Sequence, residues 1–336
     1  MHPALQALLT IAVGVGGCVS YFYLSNQFLD KILFPPRGPN AGRNINTANL
    51  IRPWLFLFPA IAALGLYLAY PVFETLRMSL SERLPGNESR FVGLDNYRQM
   101  VSEPKFWEAM RNNILWLLVV PAMSTAFGLL AAQLSDRVRW GNVAKSLIFM
   151  PMAISFVGAA VIWKLVYDTR PVEQDQIGVL NALYLYFGGT EPQTWLTMPL
   201  WNSFFLMIVL VWIQTGFAMV ILSAALRGIP EETVEAAIVD GANPFQIFFK
   251  IKVPQIKGTI IVVWTTITIV VLKVFDIVYA MTNGQWETQV LANYMYDKLF
   301  RANDWGVGSA GAMVIMFLVT PILIWNIYNA RKEMRS

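Results

Sequence analysis

Histidine, cysteine and charge are all scarce in this 336-residue chain. A single cysteine, Cys18, rules out an intrachain disulfide and a Cys-rich metal site. A single histidine, His2, leaves no His-based triad, paired-His zinc site or bis-His haem. No GxxxxGK(S/T) phosphate loop occurs, so nothing points to ATP bound through that motif. The expectation is therefore a chain that is not an enzyme and carries no cofactor or metal of its own. Charged residues make up 14% and hydrophobic ones 56%, with a mean hydropathy of +0.50. A soluble globule carries about 25% charged residues, and its surface could not be covered with so few. A surface facing lipid needs no such cover, so the expected class is all-α, integral to a membrane and multi-pass.

A hydrocarbon core about 30 Å thick takes roughly 20 apolar residues of helix to cross. Apolar, nearly charge-free windows place seven spans at 4–25, 54–79, 113–134, 146–167, 201–224, 259–281 and 308–329. The sixth extends past residue 272 only by accepting Lys273 and Asp276. The first has no positive n-region and outruns a usual signal-peptide apolar stretch of roughly 7–15 residues, so a retained helix is expected. The net charge is +4, and the basic residues gather at the ends of apolar runs, which makes them topology signals rather than a nucleic-acid footprint. With the N-terminus outside, fourteen Lys and Arg fall on the cytoplasmic side and eight outside, which favours N-out, C-in. Residues 35–49, rich in Pro, Gly and Asn without apolar period, read as a flexible linker. The expected organisation is an added N-terminal helix with cytoplasmic linker (1–53), a transmembrane domain (54–330) and a cytoplasmic tail (331–336).

Segment 225–258 carries the most information. Pro230 suits a helix start, where its missing N–H costs nothing, and Glu231 and Glu232 follow at the positive end of the dipole. The helix is expected to run to about Val239, with Gly241 in the left-handed position that stops it. Asn243-Pro244 opens a second helix that Pro254 ends. Glu235, Ala236, Ala237 and Asp240 put two acids and two small side chains on the first helix. Small residues allow close backbone approach and acids can pair with a partner's cations, as a docking knob requires. An amphipathic loop helix with a solvated face has the same pattern.

The run from Glu235-Ala-Ala through Asp240-Gly-Ala to Pro254 closely resembles the EAA loop of ABC importer permeases. Phe91-Val-Gly-Leu-Asp-Asn-Tyr97, with Phe106-Trp107 and Asn112-Asn113, resembles the external segment of carbohydrate-uptake permeases. Phe275-Asp-Ile-Val-Tyr-Ala-Met-Thr282 and Tyr294-Met-Tyr-Asp-Lys-Leu-Phe300 resemble the region around their penultimate span. One departure is the Asn283-Gly284-Gln285-Trp286 that follows Thr282, where the family often has Gly-Gly-Pro. The resemblance spans roughly residues 54–330. It implies a six-helix permease core plus one extra N-terminal helix, in the cell inner membrane. It implies half of a translocation pathway for a sugar, of α-glucoside or other oligosaccharide type, in a binding-protein-dependent importer. The implied partners are a second permease subunit, two copies of a cytoplasmic ABC ATPase that binds ATP and Mg, and an external solute-binding protein. Glu235, Ala236, Ala237, Asp240, Gly241 and Ala242 would be the ATPase-coupling element. The competing class is an ion-gradient-driven secondary transporter, which calls for mid-membrane ionisable residues and internal repeats.

Candidates for the substrate path are the polar and aromatic groups within the spans. Lys273 and Asp276, three apart on one expected helix, could pair structurally or gate. Gln214 sits mid-span near Trp212, Phe217 and Asn202. An aromatic beside an amide suits a sugar's C–H face and hydroxyl rim, while Gln bonding a neighbouring helix is the packing alternative. Trp163 and Tyr167 read as interfacial belt aromatics. Phe91, Leu94, Tyr97, Met100 and Val101 suggest a short external helical cap, either a docking surface or plain packing.

Overall fold

The computed structural model describes residues 3–84, 86, 88–136 and 138–333; His2 and residues 334–336 of the expected tail lie outside the described residues. The chain divides into two compact units, Met1–Glu74 and Thr75–Ser336.

In the first unit, α1 (Pro3–Leu33) and α2 (Ala41–Ser79, whose last turn belongs to the second unit) are both long and apolar enough to cross a membrane. Leu29 and Ala48 are the buried residues described here, so this unit has almost no core of its own. The Tyr21 hydroxyl donates to the Leu55 carbonyl at 2.8 Å, Phe22 meets Phe56 edge-on, and Arg52 pairs with Asp30 at 2.7 Å. The stretch expected as a flexible linker is helical from Ala41 onward, leaving a short connection after Leu33. Helix nucleation is the costly step and propagation is cheap. The strongly apolar helix downstream therefore extends back through weak helix formers, until Pro39 and a left-handed Gly38 stop it.

The second unit opens with a two-stranded antiparallel hairpin, β1 (Ser81–Arg83) and β2 (Ser89–Phe91), paired Ser81 to Phe91. A short helix, α3 (Asp95–Ser102), and the long α4 (Pro104–Ser135) follow. Next come α5 (Gly141–Phe149), α6 (Phe156–Val166), α7 (Val179–Tyr186) and α8 (Trp201–Arg227). The chain then forms α9 (Glu231–Val239), α10 (Pro244–Gln255), α11 (Lys257–Leu272) and α12 (Asp276–Met281). It ends with α13 (Leu291–Tyr296) and α14 (Trp305–Glu333). The central contact is α4 against α8, where Trp116, Leu206, Met219 and Leu222 are fully enclosed. Gly128 permits this approach: a Cβ there would stand 2.4 Å from the Ala218 Cβ. Close packing through small residues is the usual adhesive of helices in lipid, where apolar surface alone gives no drive to associate. A second cluster, including Met100, Phe106, Tyr294 and Val307, ties α3, α4, α13 and α14 together.

Among the described residues five helices are long and apolar enough to cross a membrane, or up to seven if each of two bent pairs is one span. The expected continuous span 146–167 is broken: a 3-10 turn at Met150–Ala153 ends the first piece, and α6 starts afresh at 106° to it. Pro151 and the Ser155 hydroxyl, which caps the Gly158 N–H at 3.1 Å, make the break locally satisfied. The expected span 259–281 is also broken. It stops at Leu272 and resumes at Asp276, with Lys273, Val274 and Phe275 between.

Candidate functional site

Sequence 225–258 folds much as its local signals dictate. After Arg227 the chain turns through Gly228 and Ile229, and Pro230 stands at the N-cap of α9, one position before the expected first turn. Gly241 is left-handed at φ +78°. Its N–H donates to the Ile238 carbonyl at 3.0 Å, and the Ala242 N–H donates to the Ala237 carbonyl at 2.9 Å. Those two bonds are the Schellman pair that satisfies the last carbonyls of a helix. Asn243 then caps α10: its side chain accepts from the Gln246 N–H at 2.9 Å, and Gln246 accepts in return from the Asn243 N–H. Two short helices are thus fixed in one geometry by backbone bonds and a reciprocal cap. At its far end α10 meets α11 at 72°.

The outer face of this element is both acidic and apolar. Glu235, Ala236, Asp240 and Gly241 are exposed, Ala242 is half-buried and Ala237 is packed inward. Glu231, Glu232, Glu235 and Asp240 form no ion pair with any described residue. Beside them Val239 is 87% exposed, Phe245 77%, Phe249 61% and Ile238 59%. Those four side chains are functional candidates that sequence reasoning passed over. The signal was available, since bulky apolar residues flank a polar turn on two helices too short to bury them.

The substrate-path candidates do not converge. Asn202 is fully buried, its amide donating to the Trp286 carbonyl at 2.5 Å and its oxygen accepting from the Ser203 N–H. That is a structural tie onto the 283–287 loop. In that loop Asn283, Trp286 and Glu287 all hold positive φ, an arrangement that persists only where surrounding bonds enforce it. Gln214 is buried, and its side chain makes no hydrogen bond to a described residue. Phe217 packs on the central core. Trp212 alone faces a large apolar groove of about 1190 Å³, together with Trp163, Thr215 and Phe204. The expected Lys273–Asp276 pairing on one helix is absent. The helix breaks between them, both are exposed, and no ion pair joins them. Lys273 instead borders a separate cavity of about 340 Å³. Tyr167 is not a belt aromatic. It is 3% exposed and donates to the Phe205 carbonyl at 3.0 Å, because the break at residue 155 turns α6 inward against α8.

The segment expected to be external forms a helix over Asp95–Ser102, with Met100 and Tyr97 packed inward and Val101 outward, while Phe91 in β2 and Leu94 at the helix N-cap are exposed. Asn112 and Asn113 of α4 clamp the loop before α13. Asn112 donates to the Glu287 and Gln289 carbonyls at 2.8 Å, and Asn113 accepts from the Leu291 N–H at 2.8 Å. Glu103 accepts from the Tyr294 hydroxyl at 2.8 Å and from Lys298 at 2.5 Å. Burial, and then the Glu103 carboxylate, raise the Tyr294 hydroxyl above the usual tyrosine range, so it stays a donor.

Residues 124–333, which contain the whole of this loop, match the family described as binding-protein-dependent transport system inner membrane component. The chain belongs to that family. This inner membrane component is a transporter subunit rather than an enzyme, and membership sets aside the ion-gradient-driven secondary transporter. It is 62% identical to the α-glucoside transport system permease protein of Rhizobium meliloti (strain 1021), over 99% of both chains. It is 45% identical to the osmoprotective compounds uptake permease protein of Synechocystis sp., over 84% of this chain and all of that one. In fold it is similar to a chain of a bacterial ABC transporter involved in the import of alginate. The TM-score is 0.70 at 20% identity, covering 87% of this chain and 98% of that chain.

Proposed function

We propose that this permease forms half of the translocation pathway for a sugar, most specifically an α-glucoside or similar oligosaccharide, and that residues 225–258 couple it to a cytoplasmic ATPase. The substrate reading rests on the 62% identity to a permease named for α-glucoside transport. The coupling reading rests on one observation: a rigidly capped helix–turn–helix that presents unpaired acids beside exposed Val239 and Phe245. In this reading Glu235 and Asp240 pair with cations lining a cleft of the ATPase. The small Ala236 admits its backbone, and the apolar side chains are buried on docking. A second permease completes the pathway, two ATPase copies bind ATP and Mg, and a solute-binding protein delivers the sugar from outside. Because α9 and α10 are locked to each other, closure of the ATPase pair moves them as a unit and changes which side the spans open to. The topology that serves this has the N-terminus outside, seven spans, and the loop and C-terminus in the cytoplasm.

The test is affinity purification of the tagged chain in mild detergent with its native operon expressed. A second multispan permease and an ATPase co-purify, and Glu235→Lys loses the ATPase while membrane insertion is unchanged. Retention of the ATPase by that variant would sink the coupling role.

A further inference from the structure

Two cavities lie at the ends of a continuous row of aromatic rings. Phe275, in the break between α11 and α12, lies 5.2 Å from Tyr296 between ring centroids. Tyr296 lies 5.0 Å from Phe300, which lies 6.4 Å from Trp305 at the start of α14. Tyr279 joins from the side, stacked on Phe275 at 5.0 Å and edge-on to Tyr296 at 5.2 Å. Phe300 is 63% exposed, Tyr279 37%, and Phe275, Tyr296 and Trp305 are half-buried, so none of the five rings is sealed in a core. At the Phe275 end is the cavity of about 340 Å³ bordered by Lys273 and Tyr296. At the Trp305 end is one of about 320 Å³, lined by Glu82, Arg83 and Ser89 of the hairpin. Guanidinium groups lie over one face of three of the rings. Arg301 lies over Tyr279 at 5.7 Å and over Tyr296 at 6.0 Å from the ring centres, and Arg83 lies over Trp305 at 5.2 Å.

From this arrangement we propose that Phe275, Tyr279, Tyr296, Phe300 and Trp305 form a carbohydrate track that leads sugar units from the hairpin cavity to the cavity at the α11–α12 break. A pyranose ring offers flat C–H faces and an equatorial rim of hydroxyls. The aromatic faces not covered by a guanidinium take the first, and the tyrosine hydroxyls, Lys273 and Arg301 are placed to take the second. Pockets of a few hundred Å³ with apolar walls and a few polar groups are the size class that holds small ligands. Aromatics that merely anchor a helix at the membrane surface need neither mutual contact nor a cavity at each end. The track rests on the sugar reading of the previous section.

The experiment uses proteoliposomes holding the complete transporter, with loaded solute-binding protein at saturation and radiolabelled maltose as probe. Uptake is normalised to inserted permease, and ATP hydrolysis is read in parallel. Phe300→Leu and Tyr296→Leu should each slow uptake by about three- to tenfold, the loss of one ring contact, while stimulated hydrolysis is unchanged. Phe300→Tyr should transport as the parent does; Phe300 is 63% exposed, so neither change at that position disturbs packing. Unchanged uptake in both leucine variants overturns the track and makes the rings lipid anchors. Uptake and hydrolysis falling together, with more binding protein needed for half-maximal stimulation, overturns it in favour of a docking surface. Absence of maltose uptake by the parent transporter, while another solute is imported, overturns the sugar reading and the track with it.

Discussion

Gly241 offers the cleanest test of the coupling loop, because its environment is empty. A Cβ built there meets no heavy atom of this chain within 4 Å, so alanine acts through backbone conformation alone. At φ +78° an L-residue other than glycine pays about 1–2 kcal/mol, with Asn the best tolerated. About 1.4 kcal/mol is a tenfold change in the population of the turn. Asn should therefore behave close to glycine, Ala should lose several-fold in coupled transport, and Val, β-branched at positive φ, should lose more. Pro cannot reach the angle, and it also removes the N–H bonded to the Ile238 carbonyl, so it should abolish coupling. Gly228→Ala is the internal control. Its backbone is right-handed at φ −76°, with the nearest contact for a Cβ at 3.4 Å, so near-normal transport is expected. The assay is sugar uptake with parallel ATP hydrolysis in the reconstituted transporter, normalised to inserted permease. Equal activity of the Asn, Ala and Val variants, or normal transport by Gly241→Pro, would refute the reasoning.

Further expectations concern the scaffold. Gly128→Ala forces a Cβ to 2.4 Å from that of Ala218 and should cost about 1–3 kcal/mol by overpacking, read as a lower melting temperature in detergent. An unchanged melting temperature would mean that α4 and α8 are not pressed together there. Asn202→Ala strips the Trp286 carbonyl of its side-chain donor and should cost about 1–3 kcal/mol. It should also quicken proteolysis near residue 286; protection equal to the parent's would contradict the tie. Glu103→Ala should destabilise more than Glu103→Gln, since the amide can still accept from the Tyr294 hydroxyl. Equal melting temperatures for the two variants would show that this acceptor contributes nothing.

What was legible in the sequence is what local chemistry settles. A chain with 14% charge has no soluble solution, and an apolar run about 20 residues long reads as a span wherever its neighbours lie. The Gly241 stop and the Asn243 cap depend on residues within a few positions of each other, so both were foreseen from spacing. The breaks at residues 154–155 and 273–275 were not foreseen, because an unbroken apolar run looks the same whether straight or bent. In lipid a bend is acceptable only where neighbouring elements or caps satisfy the freed backbone groups, and that information lies elsewhere in the chain. The same limit hid the burial of Tyr167 and the tie from Asn202 to a carbonyl 84 residues away. It hid the aromatic row too, whose members come from the α11–α12 break, α12, the end of α13 with the stretch after it, and the start of α14. Composition and near-neighbour pattern determined that this is a multi-span helical membrane protein with a capped helix–turn–helix at 225–258. Which of its polar and aromatic side chains share a surface was decided by packing between distant segments.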